Sequence, residues 1–221
     1  MAVMDIFSKM LEKKLVVIAR RLPEDMTEGV IDAVIDGGVC FVESTFDQSA
    51  PDCIEKNMRT ISKMVEAANG RAHIGAGTVL TVEQVRAAHK AGAEYIISPN
   101  TNREVIEETR KLGMISIPGA MTPTEIEQAY TWGAHIVKLF PADDMGIHYI
   151  KNITAPLSHI PLMATGGVNP DTIPEFHEAG AKAFGTGVTI LTPDCIRDKN
   201  YDGIRVHAKE HVDVISALKE V

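Results

Sequence analysis

A single lysine interrupts an apolar stretch in the second half of the chain. Lys138 lies within residues 135–141, HIVKLFP, a run whose other members predict a buried strand. Burial disfavours an ammonium ion and can lower the pKa of a lysine by up to about 3 to 5 units, which leaves a neutral amine able to attack a carbonyl carbon. The same pattern fits a lysine whose amine reaches solvent or pairs with a carboxylate. Other residues must decide between these interpretations.

A glutamate interrupts a second apolar stretch in the same way. Glu43 lies in CFVEST, residues 40–45. Glu43 and Lys138 each come five residues after a glycine, Gly38 or Gly133, that ends a predicted helix. The two side chains are therefore expected at the same depth of two buried strands. A carboxyl group beside such an amine can transfer protons during imine chemistry, and the alternative is a structural ion pair.

Short aliphatic runs alternate with amphipathic segments along the chain, which predicts parallel strands covered by helices. Strands are predicted at residues 15–20, 39–45, 73–77, 95–98, 114–118, 136–140, 161–165 and 183–187. Helices are predicted at residues 25–35, 54–68, 81–90, 102–111, 122–132, 172–178 and 204–218, and the apolar spacing in residues 1–14 predicts another.

Eight strand–helix units indicate an α/β fold, a single (β/α)8 TIM barrel with an N-terminal helix, in one domain that spans residues 1–221. An open doubly wound sheet is the alternative topology. The absence of a Gly-x-Gly-x-x-Gly turn argues against it.

Glycine-rich segments occur at the ends of three predicted strands. Residues 165–168, TGGV, follow the seventh strand, and residues 185–187, GTG, close the eighth. In barrels these two positions often form a phosphate site from backbone N–H groups, although a glycine pair also occurs in ordinary turns. Residues 75–78, GAGT, offer further N–H donors and a hydroxyl at the same end of the barrel.

Composition argues against several other functions. The net charge is −8 without a basic stripe, so nucleic acid is a poor candidate partner. No apolar stretch approaches the roughly 20 residues of a membrane span. The eight histidines lack metal-ligand spacing, and the Gly-x-Ser-x-Gly motif of serine hydrolases is absent. The three cysteines form no Cys-x-x-Cys pair, which favours a reducing cytoplasm.

Six segments together carry a family resemblance: residues 41–45, 75–80, 97–99, 117–119, 137–142 and 164–168, which read FVEST, GAGTVL, ISP, IPG, VKLFPA and ATGGV. In order and spacing they resemble the class I pyruvate aldolases, in particular the 2-dehydro-3-deoxy-6-phosphogluconate aldolase and 4-hydroxy-2-oxoglutarate aldolase family. The resemblance implies a lyase that cleaves a 2-keto-4-hydroxy acid to pyruvate and an aldehyde.

The same resemblance implies a role for each matching residue. Lys138 would form the Schiff base and Glu43 would transfer protons. The substrate would be bound by Arg20, Thr78, Pro99, Phe140, Gly166, Gly167, Gly187 and Val188, with Arg20 and Thr78 at anionic groups and the glycine segments at phosphate. The partner is then a small, phosphorylated 2-keto acid, with no metal and no cofactor, and the assembly is expected to be a homotrimer.

Two positions depart from the family pattern. Asp47 stands where the family commonly has an arginine that pairs with the substrate carboxylate, and Val188 replaces a serine used for phosphate. Because a carboxylate cannot bind a carboxylate, Asp47 leaves open a catalytically weak homologue that only binds phosphometabolites. The other alternative is a phosphate-binding barrel decarboxylase or epimerase, which typically has an Asp where this chain has Ile136.

Overall fold

The computed structural model describes residues 3–219, so that residues 1, 2, 220 and 221 of the predicted domain lie outside the described residues. Its strands are β1 Leu15–Ala19, β2 Phe41–Thr45, β3 His73–Gly77, β4 Tyr95–Ile97, β5 Ile115–Ile117, β6 Gly119–Ala120, β7 Val137–Leu139, β8 Leu162–Thr165 and β9 Ala183–Thr186. Its α-helices are α1 Val3–Lys13, α2 Thr27–Asp36, α3 Cys53–Ala68, α4 Val82–Lys90, α5 Arg103–Lys111, α6 Pro123–Thr131, α7 Ala142–Thr154, α8 Ile173–Glu178, α9 Pro193–Arg197 and α10 Tyr201–Ser216.

All strand pairs are parallel, in the order β5-β4-β3-β2-β1-β9-β8-β7-β6. β5 and β6 are two parts of one strand, separated by Pro118, which has no N–H to donate to a neighbouring strand. β5 pairs with β4 and β6 pairs with β7, while the Pro118 carbonyl accepts a 2.8 Å hydrogen bond from the N–H of Lys138. Because β5 and β6 are consecutive parts of one strand, the sheet closes into a barrel of eight strands, and the predicted (β/α)8 barrel is confirmed.

The barrel interior is filled by apolar and aromatic side chains toward the amino ends of the strands. Phe41, Tyr95, Ile136 and Met163 are fully buried there, and the rings of Phe41 and Tyr95 meet edge to face with centroids 6.0 Å apart. α1 belongs to the same cluster through its buried side chains Ile6 and Met10. The predicted N-terminal helix thus packs with the barrel interior and leaves the opposite end of the strands for polar groups.

Glycines end several of the helices as expected. Gly38, Gly92, Gly113, Gly133 and Gly180 all have positive φ angles, between 73° and 107°. In this region a glycine avoids the steric cost that a side chain would carry. Each turn leads directly toward the next strand, so these glycines set the depth at which the strands begin.

Some predicted boundaries were wrong. α7 was not predicted, because Gly146, with φ 75° and ψ 160°, interrupts its helical geometry and its sequence pattern. The short α9 was also missed. Several strands are shorter than expected, so Arg20, Phe140 and Gly187 lie just beyond β1, β7 and β9. Within the described chain, no helix has both the length and the apolar character that crossing a membrane requires.

Candidate active site

Lys138 and Glu43 are the central residues of β7 and β2. Glu43 is 1% exposed and Lys138 is 8% exposed. In the sheet Glu43 is in register with Gly75 of β3, and Lys138 is in register with Gly119 of β6. Two ionisable side chains are therefore buried at the centres of two strands, each in register with a glycine of a neighbouring strand.

Both side chains line one cavity of about 260 Å³ at the carboxyl ends of the strands. The cavity brings together nine of the ten residues expected at the site: Arg20, Glu43, Thr78, Lys138, Phe140, Gly166, Gly167, Gly187 and Val188. Pro99 is the exception. Its carbonyl group lies against Gly119, where an added Cβ atom would approach that oxygen to 2.4 Å, so Pro99 packs on the backbone of β6 instead of lining the cavity.

The pKa values of Glu43 and Lys138 differ from those of exposed side chains. Burial raises the pKa of Glu43 to about 7, against the opposing attraction of Lys138 and Arg20. Burial also lowers the pKa of Lys138, which the negative charge of Glu43 partly offsets and the positive charge of Arg20 reinforces. Both shifts favour the uncharged forms, a carboxylic acid and a free amine.

The alternative of a structural ion pair does not fit the contacts. No hydrogen bond or ion pair between described residues joins Lys138 to Glu43, and Glu43 Oε2 is buried without a hydrogen-bond partner. The Lys138 amine instead lies 4.6 Å from the centroid of the Phe140 ring. Each polar group is thus available to a molecule that enters the cavity.

Arg20 and Arg21 follow β1 and take different positions. Arg20 lines the cavity and interacts electrostatically with both Lys138 and Glu43. Arg21 bonds to Asp47, with Nε 3.1 Å from Oδ2. Asp47 also accepts hydrogen bonds from the backbone N–H and the hydroxyl of Ser49. These two bonds lower the pKa of Asp47 more than the contact with Arg21 does. The carboxylate at the position of the family arginine is therefore already neutralised.

Thr78 adopts an unusual backbone conformation at the cavity wall. Its φ is 57°, in the left-handed region that a β-branched residue rarely enters. Its carbonyl oxygen accepts a 2.6 Å hydrogen bond from the Gln48 amide, whose oxygen accepts from the Gln84 amide at 2.9 Å. Gln84 also accepts from the N–H of Leu80. Two glutamines thus hold the strained turn from both sides.

The glycine turns after β8 and β9 line the side of the cavity nearest solvent. Gly166 and Gly167 have φ angles of 103° and 68°. The Gly167 carbonyl accepts from the Thr172 hydroxyl at 2.7 Å. After β9, the carbonyl of Gly187 accepts from the N–H of Leu191, so the chain makes one helical turn. These hydrogen bonds fix both turns, and Gly166, Gly167 and Gly187 line the cavity.

Several residues of the cavity were not predicted. Ile18, Asn169 and Thr189 also line it, and so do Thr165, Gly185 and Thr186, which belong to the predicted glycine-rich segments but were given no role of their own. Thr165 carried a usable signal, since it is two residues from Met163 on β8, and alternating residues share one face of a strand. Its hydroxyl is buried without a hydrogen-bond partner. The position of Thr189 depends on the turn after β9 and could not be read from strand alternation.

Two larger grooves on the described part of the chain lie outside this cavity. A groove of about 630 Å³ runs along α2 and α3 and is lined largely by charged side chains, several of them paired with each other. A groove of about 450 Å³ lies between α3 and the carboxyl ends of β1 and β2 and contains the Arg21–Asp47 pair. Among residues 3–219 no group of three or more His, Cys, Asp or Glu side chains is arranged to hold a metal ion.

The fold and the cavity define the class of the protein: a (β/α)8 barrel whose buried amine and buried carboxyl group share one site at the carboxyl ends of the strands. The chain belongs to the family of KDPG and KHG aldolases, which matches residues 6–207. The predicted family, its aldolase function and its assignment to the lyases are confirmed.

Two relatives carry the name 2-dehydro-3-deoxy-6-phosphogalactonate aldolase. The one from Escherichia coli K12 is 36% identical over 174 residues, which cover 78% of this chain and 82% of that protein. A probable one from Rhizobium meliloti is 34% identical over 83% of this chain and 84% of its own. A 2-dehydro-3-deoxy-phosphogluconate aldolase from Haemophilus influenzae is 30% identical over 95% of this chain and 96% of its own.

A solved structure described as native KDPGal is similar in fold and sequence. It has a TM-score of 0.82 and 32% identity, over 91% of this chain and 94% of its own. The aldolase of Zymomonas mobilis ZM4 reaches a TM-score of 0.83 at 23% identity, over 100% of this chain and 99% of its own, which demonstrates a shared fold.

Proposed function

We propose that Lys138 forms a Schiff base with the C2 ketone of a phosphorylated 2-keto-3-deoxy sugar acid and that Glu43 transfers the protons of the reaction. The observation that carries this proposal is the burial of both groups in one cavity without an ion pair between them. Because burial lowers the pKa of Lys138, the amine reaches its nucleophilic form more readily than an exposed lysine does.

The steps follow from these two groups. The Lys138 amine adds to the C2 carbonyl, the Glu43 carboxylic acid gives its proton to the carbinolamine hydroxyl, and loss of water leaves an iminium ion beside the Glu43 carboxylate. The Glu43 carboxylate accepts the proton of the C4 hydroxyl, the C3–C4 bond breaks, and its electron pair moves into the iminium to form an enamine and a free aldehyde. Glu43 then returns the proton to C3, and water hydrolyses the imine to pyruvate and free Lys138. A pKa of about 7 suits a group that must accept and return one proton.

The remaining lining groups fit the two ends of such a substrate. Arg20 and Thr78 both line the cavity, and we assign the guanidinium and the hydroxyl to the carboxylate next to the imine. The backbone N–H groups of the turns at Gly166–Gly167 and at Gly187–Val188 are suited to the phosphate at the other end.

Reductive trapping tests the Schiff base directly. Borohydride added with pyruvate is expected to fix one pyruvate-derived group on Lys138, seen by mass spectrometry of the digested protein. The matched variants are Lys138→Ala and Lys182→Ala, the second removing a lysine that does not line the cavity. Absence of an adduct in the unaltered protein, or its survival in Lys138→Ala, would refute the assignment.

The preferred substrate is proposed from the named relatives. Those with 34% and 36% identity carry the galactonate name, and the one with 30% identity carries the gluconate name. We therefore place 2-dehydro-3-deoxy-6-phosphogalactonate first. Pyruvate release coupled to lactate dehydrogenase is expected to give a higher kcat/KM for this substrate than for the gluconate epimer or for 4-hydroxy-2-oxoglutarate, and the opposite order would reverse the assignment.

A catalytically weak binding homologue is the alternative that Asp47 suggested. The Arg21 and Ser49 contacts of Asp47 reduce that support, because the acid is paired and Arg20 remains beside the buried pair. The coupled assay separates the two cases, since a binding protein would retain phosphate affinity without releasing pyruvate.

A homotrimer in the cytoplasm is proposed as the state of the protein. A designed cage described as a fusion of symmetric oligomeric domains matches 92% of this chain at 32% identity with a TM-score of 0.81, which supports an oligomer. The three cysteines are free thiols, consistent with a reducing compartment. Light scattering after gel filtration is expected to give three times the chain mass of 24.0 kDa.

A further inference from the structure

A buried histidine lies behind the turn that follows β9. His211 of α10 is 1% exposed and does not line the cavity. Its Nδ1 atom is 2.7 Å from the backbone carbonyl of His207, and its Nε2 atom is 3.0 Å from the hydroxyl of Thr189. A carbonyl oxygen can only accept, so Nδ1 carries the proton and Nε2 accepts from Thr189. Both ring nitrogens are thus used within the protein.

The contact reaches the cavity through one residue. Thr189 lines the cavity next to Gly187 and Val188, and its hydroxyl is 2.8 Å from the hydroxyl of Thr186. Because the Thr189 proton goes to His211, Thr186 is the donor to Thr189, and the Thr186 hydroxyl also lies 2.9 Å from the carbonyl of Val168. His211 is therefore the outer end of a hydrogen-bonded series that joins α10 to Thr189, in the turn after β9, and to Thr186 at the end of β9.

A second histidine of α10 supports the same turn. The Nδ1 atom of His207 is 3.3 Å from the carbonyl of Ile190, one residue beyond Thr189. Burial also lowers the pKa of His211, which preserves the neutral ring that accepts from Thr189. The helix thus contacts the turn at two successive residues, and only the His211 contact involves a side chain that faces the cavity.

We propose that His211 is a positioning residue that fixes, through Thr189, the backbone of residues 187–189 for binding the substrate phosphate. The proposal rests on the phosphate assignment made above. With Val188 in place of a hydroxyl-bearing residue, phosphate binding at this turn depends on backbone N–H groups, whose directions follow the orientation of the turn. A hydrogen bond behind the turn then contributes to affinity without touching the substrate.

Aldol addition of pyruvate to two aldehydes that differ only in the phosphate provides the test. His211→Leu is expected to raise the KM for D-glyceraldehyde 3-phosphate roughly tenfold and to leave kcat and KM for D-glyceraldehyde unchanged. His211→Gln, whose amide oxygen can replace Nε2 as acceptor, is expected to restore most of the phosphate preference. This rescue distinguishes positioning from a general loss of packing.

Thr189→Val tests the other end of the contact with almost no change in shape, and it covers the case in which His211→Leu does not fold. It is expected to raise the KM for the phosphorylated aldehyde as His211→Leu does. An unchanged preference in His211→Leu or in Thr189→Val would overturn the role of His211 alone. An unaltered protein that does not distinguish the two aldehydes would overturn the phosphate assignment and this inference together.

Discussion

Gly77 provides the space that the carboxyl group of Glu43 occupies. A Cβ atom at Gly77 would lie 2.5 Å from the carboxyl carbon and from one carboxyl oxygen of Glu43, closer than nonbonded atoms approach. Gly77 ends β3, and β3 pairs with β2, so the two residues are held on neighbouring strands. Gly77 does not have a positive φ, so its backbone conformation does not require glycine. Glycine is required here because any side chain would collide with the Glu43 carboxyl group.

Gly77→Ala is expected to displace the Glu43 carboxyl group and lower kcat roughly 10- to 100-fold, because proton transfer depends on the position of that group. Steady-state pyruvate release measures the effect. In a Glu43→Gln background the same change should cost little further activity, since the affected group is already gone. Equal losses in both backgrounds would show that Gly77 acts on something other than Glu43.

Glu43→Gln is expected to change how stability depends on pH. The pKa of Glu43 is about 7 in the folded protein and ordinarily 4.5. The folded state therefore holds the proton more tightly, and the free energy of unfolding falls as pH rises from about 4.5 through 7. Urea titrations should show the variant gaining about 2 kcal/mol over the unaltered protein between pH 5 and pH 8.5. A difference that is constant with pH would contradict the raised pKa.

The regular parts of this molecule could be predicted from sequence because they depend on local periodicity. Helix-ending glycines such as Gly38 and Gly133 set the start of the next strand, and counting from them put Glu43 and Lys138 at the same depth of two strands, where the structure has them as the central residues of β2 and β7. The division of the fifth strand at Pro118 was not predicted, since it depends on which neighbour each half pairs with.

The polar contacts that adapt the site depend on distant residues and could not be predicted. Arg21 pairs with Asp47, 26 residues away, and Gln48 bonds to Thr78, 30 residues away. From the sequence, Asp47 indicated a missing cation. In the structure Arg21 pairs with Asp47, and the adjacent Arg20 lines the cavity.

Arg20→Ala is expected to raise the KM for pyruvate in the addition reaction roughly tenfold or more, because the guanidinium is the cation that lines the cavity with Thr78. Arg71→Ala is the control, since Arg71 is bonded to Asp32 and to the carbonyl of Ala67, outside this cavity. An unchanged KM for Arg20→Ala would exclude Arg20 as the carboxylate-binding group and would make Arg21 the next candidate for that role.

Gln48→Leu is expected to raise the KM for pyruvate several-fold with a smaller change in kcat, because the Thr78 carbonyl loses its 2.6 Å hydrogen bond and the left-handed turn loses support. Gln84→Glu provides a graded comparison. It retains an acceptor for the N–H of Leu80 but cannot donate to Gln48. A smaller effect than that of Gln48→Leu is expected, and a fall in kcat alone in both variants would contradict a role in carboxylate binding.

Val188→Ser is expected to strengthen phosphate recognition. Val188 is 75% exposed at the mouth of the cavity, so a hydroxyl there adds a donor with little cost to packing. The ratio of kcat/KM for D-glyceraldehyde 3-phosphate to that for D-glyceraldehyde should rise about fivefold, as one added hydrogen bond allows. Val188→Ala removes the same apolar bulk without adding a donor and should leave the ratio unchanged. If the alanine variant raised the ratio equally, the valine would limit phosphate binding by its size, and the missing hydroxyl would not be the cause.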